Sequence, residues 1–365
     1  MTLTSFVSLY DKLERLVQRL PESLQGPILR EITPIKTLFL LQRPPRLVLL
    51  GQRTAGKAAL LNALFAGEAL RADEELLHDG VWQSIARQGR GTLRLLDARR
   101  PVSTAAAQQA MMSEPGDLYV FLRSATDIDE ALPSDLAHAA QVIEAADRRH
   151  ETRPKVLALQ LSGGAADIEN AREQLHAAMH TEPRLESRMI GTLAFTGAEG
   201  QIDRFAEIVA KELPDEARLE LARISGNRVL QREVAQVVTK SITAICAAIG
   251  TQPIPLADFP ILTSLQATMV AGIMHISGRE MSPRLAGEFI AALGANVGVG
   301  LVLREGARAA AKFVPFWGNA ISGAVAGAGT YAVGRSAMAY FIDGVSLRDA
   351  RAFFKKQKSP PLLKE

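Results

Sequence analysis

Residues 46–65 read RLVLLGQRTAGKAALLNALF, and this stretch decides the fold of the chain around it. The apolar run 47–50 suits a strand buried on both faces, and good helix formers follow from residue 58. Between them, Gly51, Gly56 and Lys57 have the spacing of the phosphate-binding motif G-x-x-x-x-G-K-[ST]. A strand, a glycine-bounded turn, a lysine and a helix together predict an anion cradle at a helix N-terminus.

The predicted phosphate contacts lie in this turn, where glycine lets the backbone approach an anion and successive amides point at it. The set comprises Gly51, Arg53, Thr54, Ala55, Gly56, Lys57 and Ala58. Ala58 stands where the motif has Ser or Thr, and a methyl group cannot ligate Mg²⁺, which demands oxygen. The pattern therefore predicts a phosphate cradle that lacks half of its metal site. The alternative is a glycine-rich turn with a chance lysine.

Composition predicts a globular chain in a reducing compartment. With 365 residues, of which 47% are hydrophobic and 22% charged, there is room for about two domains. A net charge of +3 is too small to predict nucleic-acid binding. The single cysteine, Cys246, lies in an apolar run and is expected to pack in a core. The amphipathic start predicts a helix rather than a secretory signal, so we expect a cytoplasmic protein.

Hydrophobic periodicity divides the chain into four parts. Residues 1–42 predict helices that pack on a helical neighbour, with an interruption around Pro34. Residues 43–214 alternate strands and helices, which is typical of an α/β fold with a mixed, mostly parallel sheet covered on both faces. Residues 215–347 predict an all-α domain that begins with one helix over 215–249, and residues 348–365 a basic tail.

Within the α/β part, apolar runs bounded by turn residues predict the individual elements. Strands are expected at 81–87, 92–96, 117–122, 156–161 and 190–195, and helices at 132–149, 168–179 and 201–213.

A hairpin followed by strand–helix units behind this loop resembles the Era-like GTPases. Residues 42–51, QRPPRLVLLG, and the region after Pro214 resemble the subset of that family with a helical YcjF-like C-terminal domain. The resemblance covers nearly the whole chain. It implies a P-loop G domain that binds GTP or GDP with Mg²⁺.

The motif D-x-x-G, which senses Mg²⁺ and the γ-phosphate in that family, is eroded. The chain reads Asp97-Ala98-Arg99-Arg100, so the aspartate is present and the glycine is replaced. No glutamine or histidine follows closely to orient a water. One hypothesis is that Arg99, Arg100 and Arg53 supply part of the charge of the lost metal, which would allow Mg²⁺-independent binding. The alternative is that they are solvated or pair with the acidic residues 73–75.

Guanine recognition is eroded as well. Where the family has N-K-x-D, the chain reads Gln160-Leu161-Ser162-Gly163, so an amide remains and the carboxylate is absent. Asp167 comes four residues late and is expected to cap the following helix. The last base-contacting loop of the family survives best, at residues 195–200, which include Thr196.

The C-terminal third contains two long apolar stretches, residues 285–303 and 313–340, with basic residues between and after them. Their length and flanks favour contact with the cytoplasmic face of the inner membrane. Gly323 and Gly327 form a small-x-x-x-small pair, which favours close helix contact. The alternative is a tightly packed helical bundle or a self-associating core.

Together these losses predict a degenerate GTPase-like protein with a regulatory or scaffolding role, no catalytic residues and no bound metal. Nucleotide binding, through the loop residues with Asp97, Gln160 and Thr196, is expected to be weak, and a protein partner or self-association is expected. Losing metal and water-positioning groups removes the means of phosphoryl transfer. The alternatives are a slow GTPase completed by a partner and a purely structural helical oligomer.

Overall fold

The computed structural model describes residues 14–15, 17–18, 22–52, 56–65, 80–87, 91–124, 129–147, 153–161, 167–196, 201–251, 258–294 and 318–358. The chain divides into two compact units. One unit is Arg43–Asn227, and the other combines Met1–Gln42 with Arg228–Glu365. The N-terminal segment thus belongs with the C-terminal helices, and the α/β unit extends past the predicted boundary at residue 214.

The α/β unit contains a six-stranded sheet with the strand order β2-β3-β1-β4-β5-β6. Only the β2–β3 pair is antiparallel, and the other neighbours are parallel. The strands are β1 (Arg46–Gly51), β2 (Trp82–Arg87), β3 (Gly91–Asp97), β4 (Leu118–Ser124), β5 (Val156–Leu161) and β6 (Met189–Phe195). The predicted α/β class, with a mixed and mostly parallel sheet, is confirmed.

Helices account for most of the remaining described residues. They are α1 (Glu22–Phe39), α2 (Lys57–Leu64), α3 (Thr104–Ser113), α4 (Leu132–Asp147), α5 (Ile168–His180), α6 (Pro183–Glu186), α7 (Gln201–Glu212), α8 (Asp215–Ser225), α9 (Arg228–Gly250), α10 (Asp258–Ile276), α11 (Pro283–Leu293), α12 (Gly318–Phe341) and α13 (Leu347–Lys358). A 3₁₀ turn, Asp129–Ala131, precedes α4.

Helices cover both faces of the sheet, which explains why β1 is a continuous apolar run rather than an alternating one. Val48 and Leu50 pack into one core with residues of α3, α4 and α5. Leu47 and Leu49 point to the opposite face and are also buried. There α2, α7 and α8 contact one another, and α8 contacts β3.

Two helices of this unit depart from the sequence prediction. Helix α3 was not predicted; it begins where the Ser103 side chain accepts a hydrogen bond from the amide of Ala106, an N-cap that satisfies an otherwise unpaired donor.

The predicted helix over 215–249 is wrong as a single element. Gly226 adopts a left-handed conformation, φ +62°, and ends α8, while α9 starts at Arg228. A glycine there separates the two units.

The second unit is all helical. Helix α1 packs on α9, as expected of the N-terminal segment, and α9 also packs on α10 and α12. The predicted interruption of α1 around Pro34 is wrong, because the helix continues through both Pro27 and Pro34. Buried Ile28 and Ile32 hold its apolar face, so tertiary packing offsets the hydrogen bond that each proline removes.

Small residues bring α12 close to α9. A Cβ atom on Gly323 would lie 2.8 Å from the carbonyl oxygen of Ala247, and one on Gly327 would lie 3.1 Å from the Cβ of Ala247. The predicted close contact at this glycine pair is therefore confirmed, with α9 as the partner helix. Cys246 is buried beside them, and desolvation raises the pKa of its thiol to about 12, so its expected role in core packing is confirmed.

The two apolar stretches of the C-terminal third form helices of different length where the structure describes them, 11 residues in α11 and 24 in α12. Helix α11 ends at Gly294, φ +75°, after 11 residues, well below the roughly 20 needed to span a bilayer. Residues 295–317, which join the two predicted stretches, lie outside the described residues. In the described part of the chain, α9 alone has the length and mean hydropathy of a membrane span, and 56% of that window is buried inside the protein.

The predicted tail over 348–365 is a helix over most of its length. Helix α13 packs on α11 and α12, with Ala350 and Phe354 buried. Residues 359–365 lie outside the described part of the chain.

Gly51, the first glycine of the predicted loop, ends β1 in a conformation that other residues rarely adopt, φ +106°. A Cβ atom there would lie 2.2 Å from the carbonyl oxygen of Leu122 in β4. Backbone strain and a steric clash thus act at the same position.

We expect Gly51→Ala to destabilise the α/β unit by about 3 kcal/mol or more, because β1 or β4 must move to admit the methyl group. The matched control is Gly287→Ala in α11, where a Cβ meets nothing within 4 Å. That change should be neutral or stabilising by up to about 1 kcal/mol, since alanine is the better helix former. Urea unfolding followed by circular dichroism measures both; equal effects would contradict this account of Gly51.

Candidate functional site

The carboxyl ends of β1 and β3 lie side by side and form the base of the site. In their parallel register Leu49 lies opposite Asp97. The pairing continues past both strands, where the Arg100 amide donates to the Gly51 carbonyl at 3.1 Å and Gln52 bridges to Arg100. Ligands of open α/β sheets bind at this edge, so the location agrees with the one predicted from the loop.

Lys57, the first residue of α2, points back to the sheet rather than to solvent. Its Nζ donates to Oδ2 of Asp97 at 3.0 Å, and its side chain is 11% exposed. Asp97, the last residue of β3, is 4% exposed. The structure therefore brings together two residues that the sequence placed forty positions apart and assigned to the same site.

Arg99 completes what we call the ion triad, Lys57–Asp97–Arg99. Its Nε donates to Oδ1 of Asp97 and its Nη2 to Oδ2, both at 2.8 Å, in a two-pronged pair. The guanidinium is almost fully buried, at 3% exposure. Its third nitrogen, Nη1, lies 3.5 Å from the carbonyl oxygen of Gln52, beside the turn that begins at Gly51.

The triad keeps Asp97 ionised. Burial acts to raise the pKa of this carboxyl, but the hydrogen bonds and charge of Arg99, together with Lys57, outweigh it and hold the pKa below the ordinary value of 3.8. At neutral pH the group is thus a carboxylate whose two oxygens accept bonds from cationic side chains. Two positive charges thus lie against the carboxylate that the sequence predicted to sense Mg²⁺.

Arg100 is held by a different element. Its Nη1 lies 3.1 Å from Oδ1 of Asp135, a buried residue in the first turn of α4. His138, one turn further along α4, lies 3.0 Å from the carbonyl oxygen of Ala98 through Nε2. Residues 73–75, the alternative partners expected for these arginines, lie outside the described residues, and the partners that the structure gives are Asp97 and Asp135.

The rest of the predicted loop is described in part. Ala58 is the second residue of α2 and is half-buried, and it has a methyl group where the motif predicted from the sequence has a hydroxyl. Gly56 lies next to β5, where an added Cβ would be 3.4 Å from Cδ1 of Leu161. Arg53, Thr54 and Ala55 lie outside the described residues.

The predicted base-contacting residues lie at the same edge of the sheet, at the ends of β5 and β6. Gln160 is buried at 2% exposure, and its Oε1 has no hydrogen-bond partner in the described structure. Thr196 follows β6, and its amide and Oγ1 donate to Oε1 of Gln201 at 2.7 and 3.1 Å. Asp167 lies at the start of α5 but its side chain makes no capping hydrogen bond, so that predicted role is wrong.

Sequence reasoning found Asp97 and Lys57 but missed the pairing of Asp97 with Arg99. The available indication was the i, i+2 spacing, because alternate residues of an extended segment lie on the same side. Asp135 and His138 gave no comparable indication, since their contact depends on how α4 packs against the end of β3.

Comparisons with known proteins assign no family: no protein-family model matches the chain, and no curated protein matches it. The interpretation of the site therefore rests on its geometry.

We expect Asp97→Asn to destabilise the α/β unit by about 3–5 kcal/mol, because a neutral amide leaves two cations buried without their carboxylate. Fluorescence of Trp82 in a Trp317→Phe background reports on this unit during urea unfolding. Asp215→Asn is the matched control: its carboxylate is 68% exposed in its pair with Arg218, and water screens such a pair. A loss no larger than that of the control would contradict the triad's role.

The lowered pKa of Asp97 gives a second prediction, which compares the parent protein with Asp97→Asn. The folded state binds this proton more weakly than the unfolded state, so the contribution of Asp97 is present above its ordinary pKa of 3.8 and is lost as the pH falls through the lowered folded pKa. The stability difference between the parent and Asp97→Asn should therefore stay constant near neutral pH and shrink below pH 3.8. A difference that is unchanged in acid would contradict the ion triad.

Proposed function

We propose that this chain is a degenerate GTPase-like protein of the Era-like type, with a regulatory or scaffolding role in place of turnover. Its α/β unit would present a surface to a protein partner, and its helical unit would act at the cytoplasmic membrane face or by self-association. The observation that carries the proposal is that Asp97, the predicted metal-sensing carboxylate, is bonded by Arg99 and Lys57.

These residues do not fit a magnesium ion. Mg²⁺ needs near-octahedral oxygen ligands, and Ala58 offers a methyl group where the motif has a hydroxyl. Both oxygens of Asp97 already accept hydrogen bonds, and Arg99 would have to leave before an ion could approach. The internal pairing of Asp97 is thus the reason for proposing that no metal binds here.

The same contacts argue against efficient phosphoryl transfer. That reaction depends on positioned cations and on a placed nucleophile, because the protein contributes little covalent chemistry. Arg100, at the position where the family has glycine, is held by Asp135 on α4. Two contributions to transition-state stabilisation are missing, the charge of the metal and the group that positions the water. The loss of each typically costs about 3 kcal/mol.

Weak binding of an anion remains compatible with this arrangement. Lys57 and Arg99 carry two positive charges against the single negative charge of Asp97, next to the turn between Gly51 and Gly56. We propose that GTP or GDP binds there weakly, through its phosphates and without Mg²⁺, the guanidinium supplying charge that a metal supplies elsewhere.

Calorimetry with GTP, GDP and ATP, each with Mg²⁺ and with EDTA, tests the proposal. We expect weak binding of GTP and GDP that is the same in both conditions, with little preference over ATP because the guanine-reading carboxylate is absent, and no phosphate release. Lys57→Ala should abolish the heat, while Lys211→Ala, an exposed lysine of α7 in the same unit, should not. In the double variant Ala58→Ser/Arg99→Ala, the freed carboxylate and the new hydroxyl should make binding Mg²⁺-dependent by about tenfold, or about 1.4 kcal/mol.

Magnesium-dependent binding by the unmodified chain, or brisk hydrolysis by the protein alone, would overturn this function and favour a true GTPase. If neither nucleotide heat nor membrane binding is observed, a structural helical oligomer becomes the better description.

A further inference from the structure

Helix α13 presents a cationic face that its packing leaves exposed. Its sequence, LRDARAFFKKQK, contains five basic residues and one acidic residue. At about 100° per residue, Arg348, Arg351, Lys355 and Lys356 fall on one side of the helix, and Ala350 and Phe354 on the other. The four basic side chains are exposed, and the two apolar ones are buried against the rest of the helical unit.

The orientation of this helix is fixed by specific contacts. Arg351 donates from Nε to the carbonyl oxygen of Ala292, in the last turn of α11, at 2.7 Å. Asp349, the only acidic residue of α13, takes part in the cap at the N-terminus of this helix. Its Oδ2 accepts a hydrogen bond from Oγ of Ser346 at 2.6 Å, and the Asp349 amide donates to Oγ of Ser346 at 3.2 Å. The carboxylate is thus engaged in capping, and the basic side faces outward.

We infer that α13 is an electrostatic docking surface for an anionic phospholipid bilayer, to which it binds by adsorption and not by insertion. This inference rests on the part of the proposed function that places the protein at a membrane face. It differs from the membrane contact predicted for residues 285–303 and 313–340, because the apolar side of α13 is already buried within the protein. What remains for the membrane is charge, which anionic headgroups match.

The chemistry of the face favours a lipid surface over nucleic acid. Phe354 is buried and Phe353 is half-buried, so α13 offers no exposed aromatic side chain on which a base could stack.

Cosedimentation with vesicles tests this inference on the full chain. The probes are vesicles of phosphatidylcholine alone and vesicles of equimolar phosphatidylcholine and phosphatidylglycerol, at low and at high salt. We expect binding to the anionic vesicles at low salt, with release at high salt because the attraction is screened. Each cation removed should lower the partition coefficient about fivefold, so Arg348→Gln/Lys355→Gln/Lys356→Gln should lower it about a hundredfold.

The matched control removes three exposed cations from other helices of the same unit, in Arg228→Gln/Lys240→Gln/Arg284→Gln. This variant should keep most of the binding, although it has the same net charge as the first. Equal losses in the two variants would reduce the effect to overall charge and overturn the assignment of α13. Binding that survives high salt would indicate insertion, and tighter binding to a DNA duplex than to vesicles would indicate a nucleic-acid partner; either result overturns the inference.

The outcome is separable from that of the proposed function. If the protein does not bind anionic vesicles while calorimetry still gives metal-independent nucleotide binding, the inference about α13 fails. The function proposed for the α/β unit then stands, and the helical unit would act by self-association.

Discussion

The Asp97 carboxylate lies between the ammonium of Lys57 and the guanidinium of Arg99, and the edge of the sheet is built around that contact. Taking three charges out of water is costly, so such a cluster persists only where geometry is good and each group is hydrogen-bonded. Arg99 meets this condition with its two bonds to Asp97, and Lys57 adds a third. The contact ties the start of α2 to the end of β3, and it uses the groups that a metal–nucleotide site would require.

This contact is the reason we propose that the α/β unit has the architecture of a nucleotide-binding domain without its chemistry. In a site that binds Mg²⁺ and nucleotide, the carboxylate and the lysine would have to remain available for these ligands. The empty site would then be less stable, because buried charges would lack partners. Here an arginine two residues after the aspartate satisfies the carboxylate internally. Stability of the edge and binding of Mg²⁺ would oppose each other here, and the pairing of Arg99 with Asp97 favours stability.

The two units use different means of packing. The α/β unit buries continuous apolar strands such as β1 between two helical layers, so it depends on large side chains. The helical unit brings α12 against α9 through glycines that leave the backbone of the partner helix within contact distance. Tight packing of that kind gives a second explanation for the apolar, glycine-rich C-terminal third, whose composition alone is equally suited to lipid.

The sequence by itself determined the strand that ends at Gly51, the helix that begins at Lys57 and the mostly parallel sheet, because these depend on local periodicity and on residue type. It could not determine that α1 continues through Pro34, that Gly226 divides two units, or that residues 348–358 form a docked helix, because each depends on contacts with distant residues. The pairing of Arg99 with Asp97 has a local indication in their i, i+2 spacing, although the sequence analysis did not use it. Only the tertiary structure decided the partner of Arg100, because Asp135 comes within reach through the packing of α4 against the end of β3, which no local pattern encodes.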